Sequence, residues 1–123
     1  MPPILYYELS FLIVGAAMEV HTQLGPGYLE NVYQKALAHE FMLRQIQFVE
    51  FVKLPVAYKN VYVGDYIADF VVEDKIVVEI KAVTTIHPRH LVQAGNYLAA
   101  SKLRLAILLN FGTESLEQKR VVR

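Results

Sequence analysis

Residues 69–81, DFVVEDKIVVEIK, hold two runs of valine, isoleucine and phenylalanine separated by Glu73, Asp74 and Lys75. β-Branched and aromatic residues fit a pleated, half-buried surface, and three polar residues fit a tight reversal, so the segment is expected to form two adjacent antiparallel strands. That pairing fixes which side chains meet. Side chains alternate faces along a strand, so Ile67, Asp69 and Val71 share one face of the first strand, while Val77, Glu79, Lys81 and Val83 share one face of the second. With three residues in the turn, Val72 opposes Ile76 and Asp69 opposes Glu79, so two carboxylates and an ammonium group converge. A two-residue turn would instead set Asp69 opposite Ile80 and scatter the charges.

The other face of these strands, Ala68, Phe70, Val72, Ile76, Val78, Ile80 and Ala82, is wholly apolar, and the charged face also carries Ile67, Val71, Val77 and Val83. Both faces are therefore expected to be covered, against the plainer reading in which the charges form the wet side of a hairpin. A buried, ionised carboxylate pair costs several kcal/mol unless it is offset, and Lys81 alone cannot neutralise two. A divalent cation can. Two carboxylates, a backbone carbonyl such as that of Ile80, and water make an all-oxygen set that suits magnesium or manganese better than zinc. Asp69 and Glu79 are thus candidate metal ligands, and Lys81 a candidate to orient water or stabilise developing charge.

The rest of the chain reads as helix, helix, three or four strands, helix, strand. A first helix is expected over 5–23, closed by the break Gly25-Pro26-Gly27, and a second over 29–44 with Leu29, Val32, Ala36 and Leu43 turned to the core. Strands are expected over 47–54, 56–63, 66–72 and 76–83, then a helix over 88–101 and a buried strand over 105–111, with residues 117–123 either an edge strand or frayed. This order, ααβββ(β)αβ, describes an α/β fold with a mixed central β-sheet flanked by helices.

At 123 residues the chain is expected to be one domain, 1–123, with no room for a separate nucleic-acid-reading module. Apolar residues make up 54% of it, high enough to suggest surface buried between subunits, so a homodimer is expected. The absence of cysteine excludes thiolate metal sites and is compatible with a reducing cytoplasm. The most apolar stretch, Phe11 to Met18, is far shorter than the ~20 residues that span a bilayer, so no membrane association is expected. Net charge is zero, yet five basic and ten acidic residues lie through Glu79 and seven basic against two acidic follow it. Such asymmetry either serves a phosphate backbone or disperses on folding.

An Asp on one strand followed by Glu-x-Lys on the next resembles the PD-(D/E)xK nuclease superfamily. Upstream, residues 27–33, GYLENVY, match the motif that names the GxxExxY protein family, a bacterial and archaeal group placed in that superfamily. Downstream, Gln93-Ala94-Gly95-Asn96-Tyr97 is similar to the Gln-x-x-x-Tyr helix motif of its RecB-like branch. The likeness extends from residues 14–20 through Leu108-Leu109-Asn110-Phe111-Gly112, with Ala68 standing where the superfamily's name has proline. It implies a restriction-endonuclease-like core and a Mg2+- or Mn2+-dependent nuclease that hydrolyses phosphodiester bonds, with DNA or RNA as substrate and DNA preferred. The implied catalytic residues are Glu30, Asp69, Glu79 and Lys81, the metal ligands Asp69, Glu79 and the Ile80 carbonyl, and the site-bordering residues Gln93 and Tyr97.

Blander roles exist for several of these residues. Glu30 also suits the positive end of its helix, and Tyr97 suits helix packing. The alternative for the whole chain is a non-catalytic nucleic-acid- or protein-binding module that keeps the fold. His87 and His90, three residues apart, satisfy the spacing of a zinc pair only if both lie on a helix. The resembled family's helix tends to carry a histidine where His21 stands, near the end of the first helix, from where it could approach the Glu30 side of the site; no role is assigned to it.

Overall fold

The computed structural model describes residues 4–123, so the first three residues of the expected domain lie outside it. Helices α1 (Tyr7–Leu24) and α2 (Glu30–Leu43) precede a long hairpin, β1 (Phe48–Tyr58) and β2 (Val61–Val72). Then come β3 (Ile76–Lys81), α3 (Pro88–Ser101), β4 (Leu105–Asn110) and β5 (Glu117–Val122). The five strands form one sheet in the order β1-β2-β3-β4-β5, antiparallel except for β3 and β4, which run parallel through the α3 crossover. This is the mixed α/β architecture expected, and residues 117–122 take the edge-strand alternative.

Two apolar clusters sandwich the sheet. On one face Ile13, Ala16, Ala17 and Val20 of α1 and Tyr33, Leu37 and Phe41 of α2 pack on Phe70, Val72, Ile76, Val78, Ile80, Ile107 and Leu109. On the other, Ala94, Tyr97 and Leu98 of α3 pack on Val71, Val77, Ala106 and Leu108. β4 lies between two strands and is buried along its whole length, which explains its unbroken apolar run.

Three expectations need correction. The α2 stripe Leu29, Val32, Ala36 and Leu43 is not the core face, since Leu29 and Leu43 are exposed and Tyr33, Leu37, Ala38 and Phe41 are buried. Two apolar stripes compete on this helix, and the aromatic one removes more surface from water, ~150–250 Å² per ring. The strands expected over 47–54 and 56–63 are one strand and the start of the next. Pro55 stays within β1, where an edge strand tolerates its missing N–H, and the chain reverses at Lys59-Asn60, both left-handed at φ 48° and 67°, as a two-residue hairpin requires. Finally, Ala68 belongs with Val71 and Val77 on the α3 side, not with Phe70 and Val72. The hairpin changes the face it presents near Phe51, whose φ is 53° and which sits where the β1 ladder skips its Asp69 partner.

Candidate active site

The turn of Glu73, Asp74 and Lys75 gives the expected register, with Val72 opposite Ile76, Val71 opposite Val77 and Phe70 opposite Val78. There the backbone ladder stops. The next pair in register is Asp69 and Glu79, and their side chains replace the missing rungs. Glu79 Oε1 accepts the N–H of Asp69 at 3.2 Å, and Asp69 Oδ2 accepts the N–H of Ile80 at 2.7 Å. The Asp69 carbonyl is held from the other side by Gln34 of α2, whose Nε2 donates to it at 3.1 Å and to Glu50 Oε2 at 3.1 Å. Both main-chain polar groups of Asp69 are thus satisfied by side chains, which fixes it while leaving a gap between β2 and β3.

The gap is poorly hydrated. Glu79 is 4% exposed, and burial, the nearby Asp69 charge and a hydrogen bond between the two carboxyl groups push its pKa up to about 9. Asp69 is also raised, chiefly by burial and further by the charge of Glu30, against the lowering effect of the Ile80 N–H. One proton shared by the pair keeps the metal-free site near a single negative charge at neutral pH. Lys81 lies close enough to lower both values but makes no ion pair with either; the one salt bridge among the described residues is Arg44 to Glu40.

Lys81 continues the same β3 face and donates from Nζ to Gln93 Oε1 at 3.3 Å. His90, Gln93 and Tyr97 follow one another at one-turn spacing on α3, so the helix presents them together to β3. Tyr97 is buried edge-on against Tyr66, and burial with the Glu79 and Asp69 charges pushes its pKa up to about 12, so its hydroxyl stays a neutral donor. Behind Lys81 the chain is clamped. Phe111 N–H donates to the Lys81 carbonyl at 2.9 Å. The fully buried Asn110 side chain accepts from Val83 and Gly112 N–H and donates to the Val83 carbonyl and Glu117 Oε1, all at 3.0–3.1 Å. A Cβ at Gly112 would lie 2.4 Å from the Val83 oxygen, so only glycine permits this approach.

Glu30 occupies the first position of α2 and is exposed; its charge is felt at both Asp69 and His90, so it stands at the rim of the same gap without bonding to it. Tyr33 has a different task. Its hydroxyl donates to the Gly25 carbonyl at 2.6 Å and accepts the Tyr28 N–H at 3.2 Å, and its ring stacks on Phe111 at 4.6 Å. It thereby locks the glycine-rich loop that leads to Glu30.

The histidines do not form a metal pair. His87 caps α3, its Nδ1 accepting the Arg89 N–H, and His90 Nδ1 accepts the His87 N–H, both at 3.0 Å. A neutral imidazole that accepts through Nδ1 carries its proton on Nε2, so neither ring has a lone pair left for zinc. His90 is kept neutral chiefly by desolvation, then by Lys81 and Arg89. His21 bonds the Thr113 carbonyl at 2.8 Å and packs near Phe111, a structural role on the far side of Tyr33. The basic residues also disperse in part, since Arg120 donates to Ser10 Oγ and the Leu5 carbonyl, and Arg123 to the Leu98 carbonyl. Gln34 and Asn110 hold the backbone on either side of the gap, contacts that were not expected from the sequence. For Gln34 a signal existed: it lies one turn beyond Glu30.

Among the described residues no group of three or more His, Cys, Asp or Glu is arranged to hold a metal ion. The available donors are two carboxylates and one carbonyl. The Lys81 carbonyl points to β4, so that of Ile80, next along the strand, faces the gap with its N–H. Such a sparse oxygen set fits Mg2+, which is typically bound by one or two carboxylates and completes its shell with water and substrate phosphate.

Residues 7–121 match the family model of the PD-(D/E)XK nuclease superfamily. The chain belongs to this superfamily. The β2–β3 gap brings together Asp69 and Glu79, with Lys81 beside them, the residues expected to supply the acidic pair and the lysine of that name. No curated protein matches the sequence. Among solved structures, an alkaline exonuclease from Laribacter hongkongensis superposes with a TM-score of 0.51 at 12% identity, over 70% of this chain and 52% of its own. At that identity the likeness speaks for the fold, a restriction-endonuclease-like core, and this chain spans about half the exonuclease's length.

Proposed function

We propose that the protein is a Mg2+- or Mn2+-dependent nuclease of the GxxExxY group, close to the RecB-like branch, that hydrolyses phosphodiester bonds in DNA. The observation that carries this reading is the buried Asp69–Glu79 pair standing where the β2–β3 ladder opens, with Lys81 beside it and unpaired by either. A fold gains no stability from two carboxylates in such a place, so their presence is explained by what they hold. Membership of a nuclease superfamily supports the assignment.

Asp69, Glu79 and the Ile80 carbonyl would hold the cation. When bound, it offsets both carboxylate charges, polarises the scissile phosphate and acidifies attacking water. Glu79 must first surrender the proton it shares with Asp69. Lys81, held by Gln93, supplies a positive donor to the charge that develops on phosphorus. Tyr97 and His90, neutral donors on the same helix face, suit the non-bridging oxygens of the substrate, and Glu30 adds an acidic group at the rim.

The test is cleavage of linear, circular and single-stranded DNA and of RNA with Mg2+, Mn2+ or chelator, beside Glu79→Gln prepared identically. Metal-dependent cleavage that the variant lacks is expected. Equal cleavage by both proteins, or none on any substrate, would overturn the assignment, and the latter would favour a binding module.

A further inference from the structure

Helix α1 carries two apolar faces, and the fold uses one. Ile13, Ala16, Ala17 and Val20 are buried against the sheet. On the outer side Tyr7, Phe11 and Met18, with Val14 at the edge where the helix still touches the core cluster, recur at spacings of four, three and four, the repeat of a helix–helix seam. Tyr7, Phe11 and Met18 are 56–69% exposed, as is Ile4 in the segment leading into the helix. No charged residue interrupts the stripe.

We propose that this face is the contact between two copies of the chain, which pack α1 against α1 about a two-fold axis. Ile4, Tyr7, Phe11 and Met18, each 56–69% exposed, present roughly 500 Å² when a large side chain is taken at ~150–250 Å², over half of the ~800 Å² per partner of a standard interface and the scale of a weak dimer. The face also carries both halves of a self-complementary fit. Phe11, 69% exposed, is the ridge and itself forms one wall of a hollow of about 210 Å³, lined also by Ile4, Tyr7, Ser10 and Val14 on the α1 side and by Gln118 and Arg120 of β5. An isologous contact needs a ridge and a hollow on one patch, each copy filling the other. The hollow is preformed, because Arg120 Nη1 donates to Ser10 Oγ and Nη2 to the Leu5 carbonyl, both at 2.7 Å, tying β5 to the helix. The patch lies on the outer side of α1, away from the Asp69–Glu79 gap on β2 and β3, so the contact leaves that gap open.

Sedimentation equilibrium of the full chain should give a dimer at tens of micromolar, and Phe11→Glu should raise the dimer dissociation constant at least 100-fold with unchanged circular dichroism. Val63→Thr, on the exposed hairpin, should leave it unchanged. The chain has no cysteine, so a Phe11→Cys/Val14→Cys variant offers a second route that keeps the helix apolar. Copper-phenanthroline oxidation should convert most of it to a covalent dimer whether the helices run parallel or antiparallel. A monomeric wild type, or a dimer that survives Phe11→Glu and resists this cross-link, would overturn the proposal.

Discussion

The Asp69–Glu79 pair makes the metal-free protein sensitive to pH in a direction opposite to most paired carboxylates. The Glu79 pKa is raised from an ordinary 4.5 to about 9. A group whose pKa is higher folded than unfolded favours the folded state in its protonated form. Below pH 4.5 it is protonated in both states and costs nothing; as pH rises towards 9 the unfolded chain ionises freely, the folded one cannot, and stability is lost. At ~1.36 kcal/mol per pH unit the whole shift corresponds to about 6 kcal/mol. Asp69 is only partly buried and Glu30 at the rim is exposed, so solvent screens part of the effect and about half of that, roughly 3 kcal/mol between pH 5 and pH 9, is the expected loss. For a chain of this size that lowers Tm by roughly 10 °C. Glu79→Gln keeps an oxygen for the Asp69 N–H and an N–H for the Asp69 carboxylate, so it should remove this dependence. Calorimetry of both proteins in chelator at pH 5, 7 and 9 reads the difference directly. A wild type that loses no more stability than Glu79→Gln would show that the pair is not a stored repulsion.

Lys81→Ala should leave divalent-cation affinity within a few fold by calorimetry yet lower hydrolysis at least ~100-fold, the scale of one lost transition-state donor; retained turnover would remove Lys81 from the chemistry. Gly112→Ala should destabilise by about 3 kcal/mol or more, because its Cβ meets the Val83 backbone rather than a flexible side chain; a urea midpoint unchanged within error would mean that the Asn110 clamp yields easily. Gln34→Leu leaves the Asp69 carbonyl without its donor, so a loss of ~1–3 kcal/mol and a roughly 10-fold weaker cation affinity are expected. Destabilisation without an effect on affinity would confine Gln34 to packing.

Much of the site could be read from local pattern. The register that brings Asp69 to Glu79 followed from strand parity and a three-residue turn, both properties of neighbouring residues. Pro88 at the start of α3 and the one-turn spacing of Gln93 and Tyr97 were equally local. What escaped depends on tertiary choice. The phase of α2 is not local, because Leu29 and Tyr33 head competing stripes and only packing area decides between them. The hairpin limits are not local either, because Pro55 breaks a central strand but not an edge strand, and edge position is a property of the sheet. Gln34 and Asn110 looked like ordinary polar residues, since their partners at Asp69 and Val83 lie 35 and 27 residues away.

The most direct test of the central claim, that the β2–β3 gap is a divalent-cation site, is Mn2+ titration calorimetry at pH 7 in buffers of differing ionisation enthalpy. One Mn2+ should bind per chain with release of close to one proton, the proton that Glu79 shares with Asp69, and Glu79→Gln should abolish both. Binding without proton release, or binding that survives in Glu79→Gln, would contradict it.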